Sequence, residues 1–331
     1  MTGRRGATWL LAICTGCGST GAGDETQGSS GAATSGSSTG GEPTTGAAAE
    51  TSGSEATGGS GATTTVDPSA GPGSEATSDP TSDPTADPTE PPPGLVLPPA
   101  DAKLDYQLGG AYPPPDGVGV VSRDRNDPPA AGLYSVCYVN GFQAQPDEAA
   151  FWLDEHPELV LRDGNDEPVI DVDWDEMLLD TSTPAKRAAL AVIVGGWIAG
   201  CEQAGYQAVE IDNLDSYSRS LGLLDQDQAV AFMALLSAEA HARGLAIAQK
   251  NSTELLPRRA EMGTDFAVAE ECNHYDECDD YIGTYGDGVL MIEYSDADFA
   301  KGCAAYPQMS IVRRDVELTL PGDAAYVYDG C

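Results

Sequence analysis

From residue 118 onward, short β-branched or apolar runs alternate with longer stretches of helical spacing. The runs are Val118–Arg123, Tyr134–Asn140, Met177–Ser182, Ala208–Asn213, Leu245–Asn251, Phe266–Cys272, Val289–Ser295 and Ser310–Asp315. Each has strand length, and most end in polar residues. Between the later runs lie helical patterns. Thr183 and Pro184 suit the N-cap and first position of a helix, along which Leu190, Ile193, Val194, Trp197, Ile198 and Cys201 would face a sheet. Asp225 opens a second helix with Phe232, Leu235 and Leu236 inward, and Gly244 ends it after Arg243. Strands alternating with helices predict a parallel α/β sheet, and eight of them predict closure into a TIM-type (β/α)8 barrel. The alternative is an open doubly wound sheet, but no Gly-x-Gly-x-x-Gly turn follows any strand.

The pattern is absent before about residue 100. Residues 18–100 are Gly, Ser, Thr, Ala and Pro with scattered acidic residues, no Lys or Arg, and almost no large apolar side chain. Such a segment buries too little surface to offset its conformational entropy, so it is expected to be a disordered linker. Its Asp-Pro repeat at 77–88 reads as a semi-stiff spacer. Residues 1–17 read as an export signal: Arg4 and Arg5, then the short apolar run ATWLLAI, then small residues. Cys17 follows a small residue, and Cys14 has Leu11 three positions earlier, so either is a candidate for lipidation. An ordinary cleaved signal peptide is the alternative. The expected organisation is thus a lipoprotein-type signal (1–17), a linker (18–100) and one barrel domain (101–331) on the cell surface or outside the cell.

Six cysteines remain in that domain: Cys137, Cys201, Cys272, Cys278, Cys303 and Cys331. In an exported chain an even set reads as disulfides, and six allow 15 pairings that sequence alone does not choose among. Cys272 and Cys278, with five residues between them at a strand-to-loop exit, are the pair expected first. Cys303–Cys331 and Cys137–Cys201 are then the expected remainder. His274 lies between Cys272 and Cys278, but no second His/Cys pair has metal-ligand spacing, so neither metal nor cofactor is expected.

Charge narrows the partners. The whole chain carries −37, and residues 101–331 hold 14 basic against 42 acidic residues, a net of −28. Such a surface repels nucleic acid and attracts a cationic substrate. It also keeps an extracellular protein soluble, the simpler reading of acidity by itself. A monomer is expected, touching membrane only through a lipid anchor.

In a barrel the working groups sit at the C-terminal strand ends. Here those ends carry Asp124, Tyr138, Asn140, Asp180, Asp212, Asn213, Lys250, Asn251, Glu293 and Tyr294, with Glu270 and, one layer below Asp212, Glu210. Glycoside cleavage uses two carboxyl groups, one protonating the leaving oxygen and one attacking the anomeric carbon or activating water. Asp212 and Glu270 stand two strands apart, within reach of one sugar. Lys250, on the strand between, would keep one of them ionised, with Asp212 the expected partner. Lys250 as a Schiff-base nucleophile is the alternative chemistry. Trp152 and Trp174 fit core or lid packing better than sugar platforms.

Ala208–Tyr217 (AVEIDNLDSY), Gln249–Asn251 (QKN), Phe266–Cys278 (FAVAEECNHYDEC) and Ile292–Tyr294 (IEY) together resemble glycoside hydrolase family 114, the endo-α-1,4-polygalactosaminidases. The resemblance runs from about Tyr106 to Cys331. It implies a barrel that cleaves α-1,4-linked galactosamine polymers with retention of configuration, Asp212 as nucleophile and Glu270 as acid/base. One departure is Ala269, where the family commonly has Asn before the second carboxylate. A polycationic substrate gives the acidic domain a role beyond solubility. The alternative of another class is a catalytically silent carbohydrate-binding barrel.

Overall fold

The computed structural model describes residues 94–331. The export signal, the candidate lipid-anchor cysteines and most of the linker lie outside the described residues. Residues 94–100 lie against the barrel: Pro98 is buried, and the Tyr134 hydroxyl donates to the Val96 carbonyl at 2.7 Å.

Eight parallel strands form the barrel wall in the order β1 (Lys103–Gln107), β2 (Val118–Asp124), β3 (Tyr134–Asn140), β7 (Ala208–Asp212), β8 (Ala246–Lys250), β9 (Phe266–Glu270), β10 (Val289–Glu293) and β11 (Ser310–Arg314). Strand β12 (Tyr328–Gly330) adds antiparallel to β11. A separate three-stranded antiparallel sheet, β4 (Gln143–Ala144), β6 (Glu176–Leu178) and β5 (Ile170–Asp171), rises between β3 and the first long helix. Helices α1 (Pro184–Ala204), α2 (Gln226–Ala242), α3 (Arg259–Met262), α4 (Cys278–Tyr285) and α5 (Asp296–Ala305) cover the outside.

Two strand assignments differ from the sequence pattern. Met177–Ser182 is not a barrel strand; its apolar residues pack in the small sheet and on the outer core. The missing wall strand is Lys103–Gln107, where Leu104 and Tyr106 face the interior. Lys103 and Asp105 interrupt that pattern, and the run is only five residues long, which hid it.

Strand alternation sorts the core into two shells. Leu104, Val120, Val136, Ala208, Ala248, Phe266, Val268, Ile292 and Val312 fill the inside. Val139, Val209, Ile211 and Ile247 face outward onto Leu190, Val194 and Ile198 of α1 and Phe232, Met233 and Leu236 of α2. Thr183 caps α1, accepting from the Lys186 N–H at 3.2 Å, and Asp225 and Gln228 form a capping box on α2. Leu235, expected inward, is 41% exposed, and Met233 takes the buried place.

The pairings are Cys137–Cys201, Cys272–Cys278 and Cys303–Cys331. The first ties β3 to α1, the second closes the exit of β9 onto α4, and the third fastens the C-terminus to α5.

A buried cation marks the seam between β11 and β1. Arg314, fully buried, donates to the Tyr106 carbonyl and lies 3.3 Å from Asp105 Oδ1, itself wholly buried. It also donates to the carbonyls of Val327 and Thr319 at 3.0 Å each. Gly109 belongs to the same closure, since a Cβ there would overlap the Leu318 carbonyl oxygen. Removing one partner of a buried, hydrogen-bonded ion pair leaves the other charge stranded. Arg314→Leu should therefore lose ~3–5 kcal/mol of stability in chemical denaturation. A loss under ~1 kcal/mol, the range of an exposed pair, would refute that role for the pair.

Candidate active site

The inward positions of β7 are Ala208, Glu210 and Asp212; those of β8 are Ala246, Ala248 and Lys250; those of β9 are Phe266, Val268 and Glu270. Barrel interiors are usually filled by bulky branched residues. Here Ala208, Ala246 and Ala248 leave space, and long polar side chains occupy it.

Lys250 is the hub. Its Nζ lies 2.9 Å from Glu210 Oε1, 3.4 Å from Asp212 Oδ1, 3.2 Å from Glu270 Oε2 and 2.9 Å from the Tyr106 hydroxyl. Its side chain is 2% exposed, and Glu210 is fully buried, whereas Asp212 and Glu270 are 21% and 25% exposed and open to the mouth. Lys250 was expected nearer Asp212; it stands between the two and closest to Glu210, which lies deeper.

Each carboxylate has its own donors. Glu210 accepts from Tyr106 at 2.6 Å and Ser122 at 2.9 Å. Asp212 Oδ2 accepts from Tyr138 at 2.6 Å. Glu270 Oε1 accepts from Tyr294, and Oε2 from Asn251 Nδ2 at 3.2 Å. The Asn251 Oδ1 accepts the Glu270 N–H at 2.9 Å, so one amide fixes that strand end twice.

These contacts set the ionisation. Burial pushes the Asp212 carboxyl up, but the Lys250 ammonium, the Tyr138 hydroxyl and the Asn213 N–H outweigh it and hold it below the usual value. Burial acts to depress the Lys250 ammonium, and Asp212, Glu210 and Glu270 more than reverse this, so it stays protonated. A protonated lysine is no Schiff-base nucleophile. Burial, reinforced by the carboxylates beside them, raises Tyr138 and Tyr294, which keeps both hydroxyls as donors.

The remaining predicted residues divide. Asn140 and Asn213 join one another and Glu176. Asp124 lies on the inner side of β2 near the mouth, where it accepts the Asn126 N–H at 2.8 Å. Asp180 is not at the pocket: it binds Ser182 and Lys186 at the start of α1. Glu293 is not there either, because the inward parity of β10 falls on Ile292 and Tyr294. Fully buried on the outer side, Glu293 accepts the backbone and side-chain N–H groups of Asn273 at 2.9 Å each. Gly302 of α5 makes room, since a Cβ there would stand 2.5 Å from the Asn273 amide. Cys272, Cys278 and Glu293 cluster within 4.8 Å, but the two sulfurs are bonded to each other and offer no thiolate. Trp152 is fully buried core against Trp197, and Trp174 is half-buried in the turn before β6. Tyr106, Ser122, Glu176 and Arg219 join the site beyond the predicted residues; the first two carry a sequence signal, the inward parity of β1 and β2.

The chain matches the model of glycoside-hydrolase family GH114 over residues 84–331. Among solved structures it resembles Ega3 of Aspergillus fumigatus, crystallised in complex with galactosamine, at 22% identity and a TM-score of 0.56. That match covers 72% of this chain and 98% of the other. It also resembles the glycoside hydrolase domain of PelA from Pseudomonas aeruginosa, at 15% identity and a TM-score of 0.45, covering 67% and 98% respectively. No curated protein matches it in sequence. The likeness to Ega3 speaks for the barrel alone, and the family match spans more than half of the sequence: the chain belongs to glycoside-hydrolase family GH114 and is a glycoside hydrolase.

Proposed function

We propose that this hydrolase is a retaining endo-glycosidase cleaving α-1,4-linked, galactosamine-containing polysaccharide, with Asp212 as nucleophile and Glu270 as acid/base. The observation that carries the reading is the meeting of these two carboxylates on one buried ammonium at the barrel mouth. The sum of the two Lys250 contacts caps the separation of their nearer oxygens. That cap falls at the lower edge of the ~6.5–9.5 Å of inverting pairs and admits the ~5–5.5 Å of retaining ones.

In the first step an Asp212 oxygen bonds to the anomeric carbon as the glycosidic bond breaks, and Glu270 gives its proton to the departing oxygen. A proton on Glu270 Oε1 turns its contact with Tyr294 round, so the acid form stays in place. In the second step Glu270 takes a proton from water, the oxygen of that water bonds to the anomeric carbon, and Asp212 leaves as carboxylate. Asn140, Asn213, Asn251, Tyr294 and Asp124 border the sugar site. The domain's −28 charge draws in a cationic chain. Three disulfides fit an oxidising, extracellular setting, with residues 1–17 as export signal, Cys14 or Cys17 as lipid anchor and 18–100 as spacer.

The direct test is incubation with partly deacetylated α-1,4-galactosaminogalactan. Oligosaccharides released with the α configuration at the new reducing end are expected, and β anomers would reject retention. Asp212→Asn should lower kcat by about 10³-fold or more with folding intact. A variant retaining over a tenth of the rate would reassign the nucleophile.

The pH profile follows from Asp212. Its carboxyl is held below the usual ~3.9, and it attacks only when ionised. The acid limb of kcat/KM, where falling pH protonates Asp212, should therefore lie below pH ~4. Lys250→Met removes the ammonium that opposes burial and should move this limb to higher pH. An unmoved limb would show that Lys250 does not set the charge of Asp212.

A further inference from the structure

Strand β7 delivers Asp212 to the mouth, but the residue after it fixes where the carboxylate points. Asn213 is left-handed, with φ of 63°, a conformation that Asn tolerates better than most residues. Its backbone N–H donates to the Asp212 carboxylate. Its side chain is gripped on both ends. Nδ2 donates to Asn140 Oδ1 at 3.0 Å and Glu176 Oε2 at 3.2 Å, while Oδ1 accepts from Arg219 Nη2 at 3.2 Å.

Glu176 gathers this arrangement. Its Oε2 also accepts from Asn140 Nδ2 at 2.9 Å, so one oxygen holds two amides from the ends of β3 and β7. Glu176 is 3% exposed and opens β6, opposite Asp171 of β5. Asp171 is bound by Arg219 Nε at 2.5 Å and by Gln143 Nε2 at 3.1 Å, and Arg219 also pairs with Asp215. The small antiparallel sheet is thereby tied to the turn after Asp212 at two points.

We propose that Glu176 is the positioning residue for Asp212: through Asn213 it sets the aim of the nucleophile from outside the barrel wall. This rests on the assignment of Asp212 as nucleophile. The groups facing Glu176 are Asp212 from β7, Asp171 from β5, Arg219 from the turn after β7, and Tyr138 and Asn140 from β3. Burial pushes its carboxyl up to about 7; the Asn140 donor opposes this, Asp212 and Asp171 add to it, and Arg219 opposes it. Below that pH Glu176 gains a proton, becomes a weaker acceptor for the two amides, and loosens Asn213. Activity should therefore carry an ionisation near pH 7, with the lower rate on the acid side.

The test compares wild type, D212N, E176Q and E176A on the partly deacetylated polymer across pH 4–9. A glutamine oxygen accepts the same two bonds but does not titrate. E176Q should therefore act at every pH like wild type on the acid side of the neutral ionisation, about 3- to 10-fold slower at pH 8. E176A should lose about 10²-fold in kcat, the scale of a misaimed reacting group, with KM changed less than threefold. The proposal is overturned if the neutral ionisation survives in E176Q, or if E176A keeps kcat within twofold or shows its loss in KM. Should E176A not fold, E176Q decides. An active D212N would fail the nucleophile assignment instead. If the wild type does not cleave the polymer, hydrogen–deuterium exchange over residues 208–219 decides: faster exchange in E176Q than in wild type supports the link to Asn213, and unchanged protection refutes it.

Discussion

One buried ammonium holds the interior of this barrel together. Three carboxylates cannot share a space this dry without a cation, because burial penalises each charge and each repels the others. Lys250, within 3.4 Å of all three, makes the arrangement possible. Its demands reach the sequence as small inward residues on β7 and β8, Ala208, Ala246 and Ala248, which leave width for its side chain. They reach β1 and β2 as Tyr106 and Ser122, which hold the deep carboxylate Glu210.

The strand ends share a second device. The residues directly after Asp212, Lys250 and Glu270 are Asn213, Asn251 and Glu271, and all three have positive φ, of 63°, 46° and 55°. An extended chain points alternate side chains to opposite faces. A left-handed residue breaks that alternation at once, turning the backbone away from the mouth after the functional side chain is delivered. Asn serves twice because its short amide suits this conformation. In both cases the amide then bonds to a neighbouring element, Asn251 to Glu270 and Asn213 to Asn140 and Glu176.

Much of this was legible in the sequence, for reasons that separate by distance along the chain. Period-two alternation in AVEID, AIAQK and FAVAE puts Asp212, Lys250 and Glu270 on one face, so three neighbouring strands could be read as one site. The same rule separates Glu293 from Tyr294, and applying it strictly to β10 assigns only the tyrosine to the pocket. MLL within 177–182 imitates a wall strand because an antiparallel hairpin buries the same residue types. The hairpin adds one apparent wall strand and the short Lys103–Gln107 hides one, so Asp212 falls on the fourth strand and Glu270 on the sixth in either count. Glu176 and Arg219 carried no local signal, since their importance comes from contacts that the hairpin makes across 36 and more residues.

Depth separates the roles of the three carboxylates around Lys250. Glu210 is fully buried and saturated by Tyr106, Ser122 and Lys250, so it cannot reach a sugar. Its value lies in charge. In the proposed cycle Glu270 is protonated before the first step and Asp212 is an ester after it, so at each of these stages only one of the two is an anion beside the ammonium. Were Asp212 and Glu270 its only partners, the buried Lys250 would face a single carboxylate halfway through the reaction, and that carboxylate must take a proton from water in the next step. Glu210 is a counterion that never reacts. It keeps Lys250 charged and in place through both half-reactions, so the pair at the mouth can exchange protons and bonds while the field beneath it stays nearly constant.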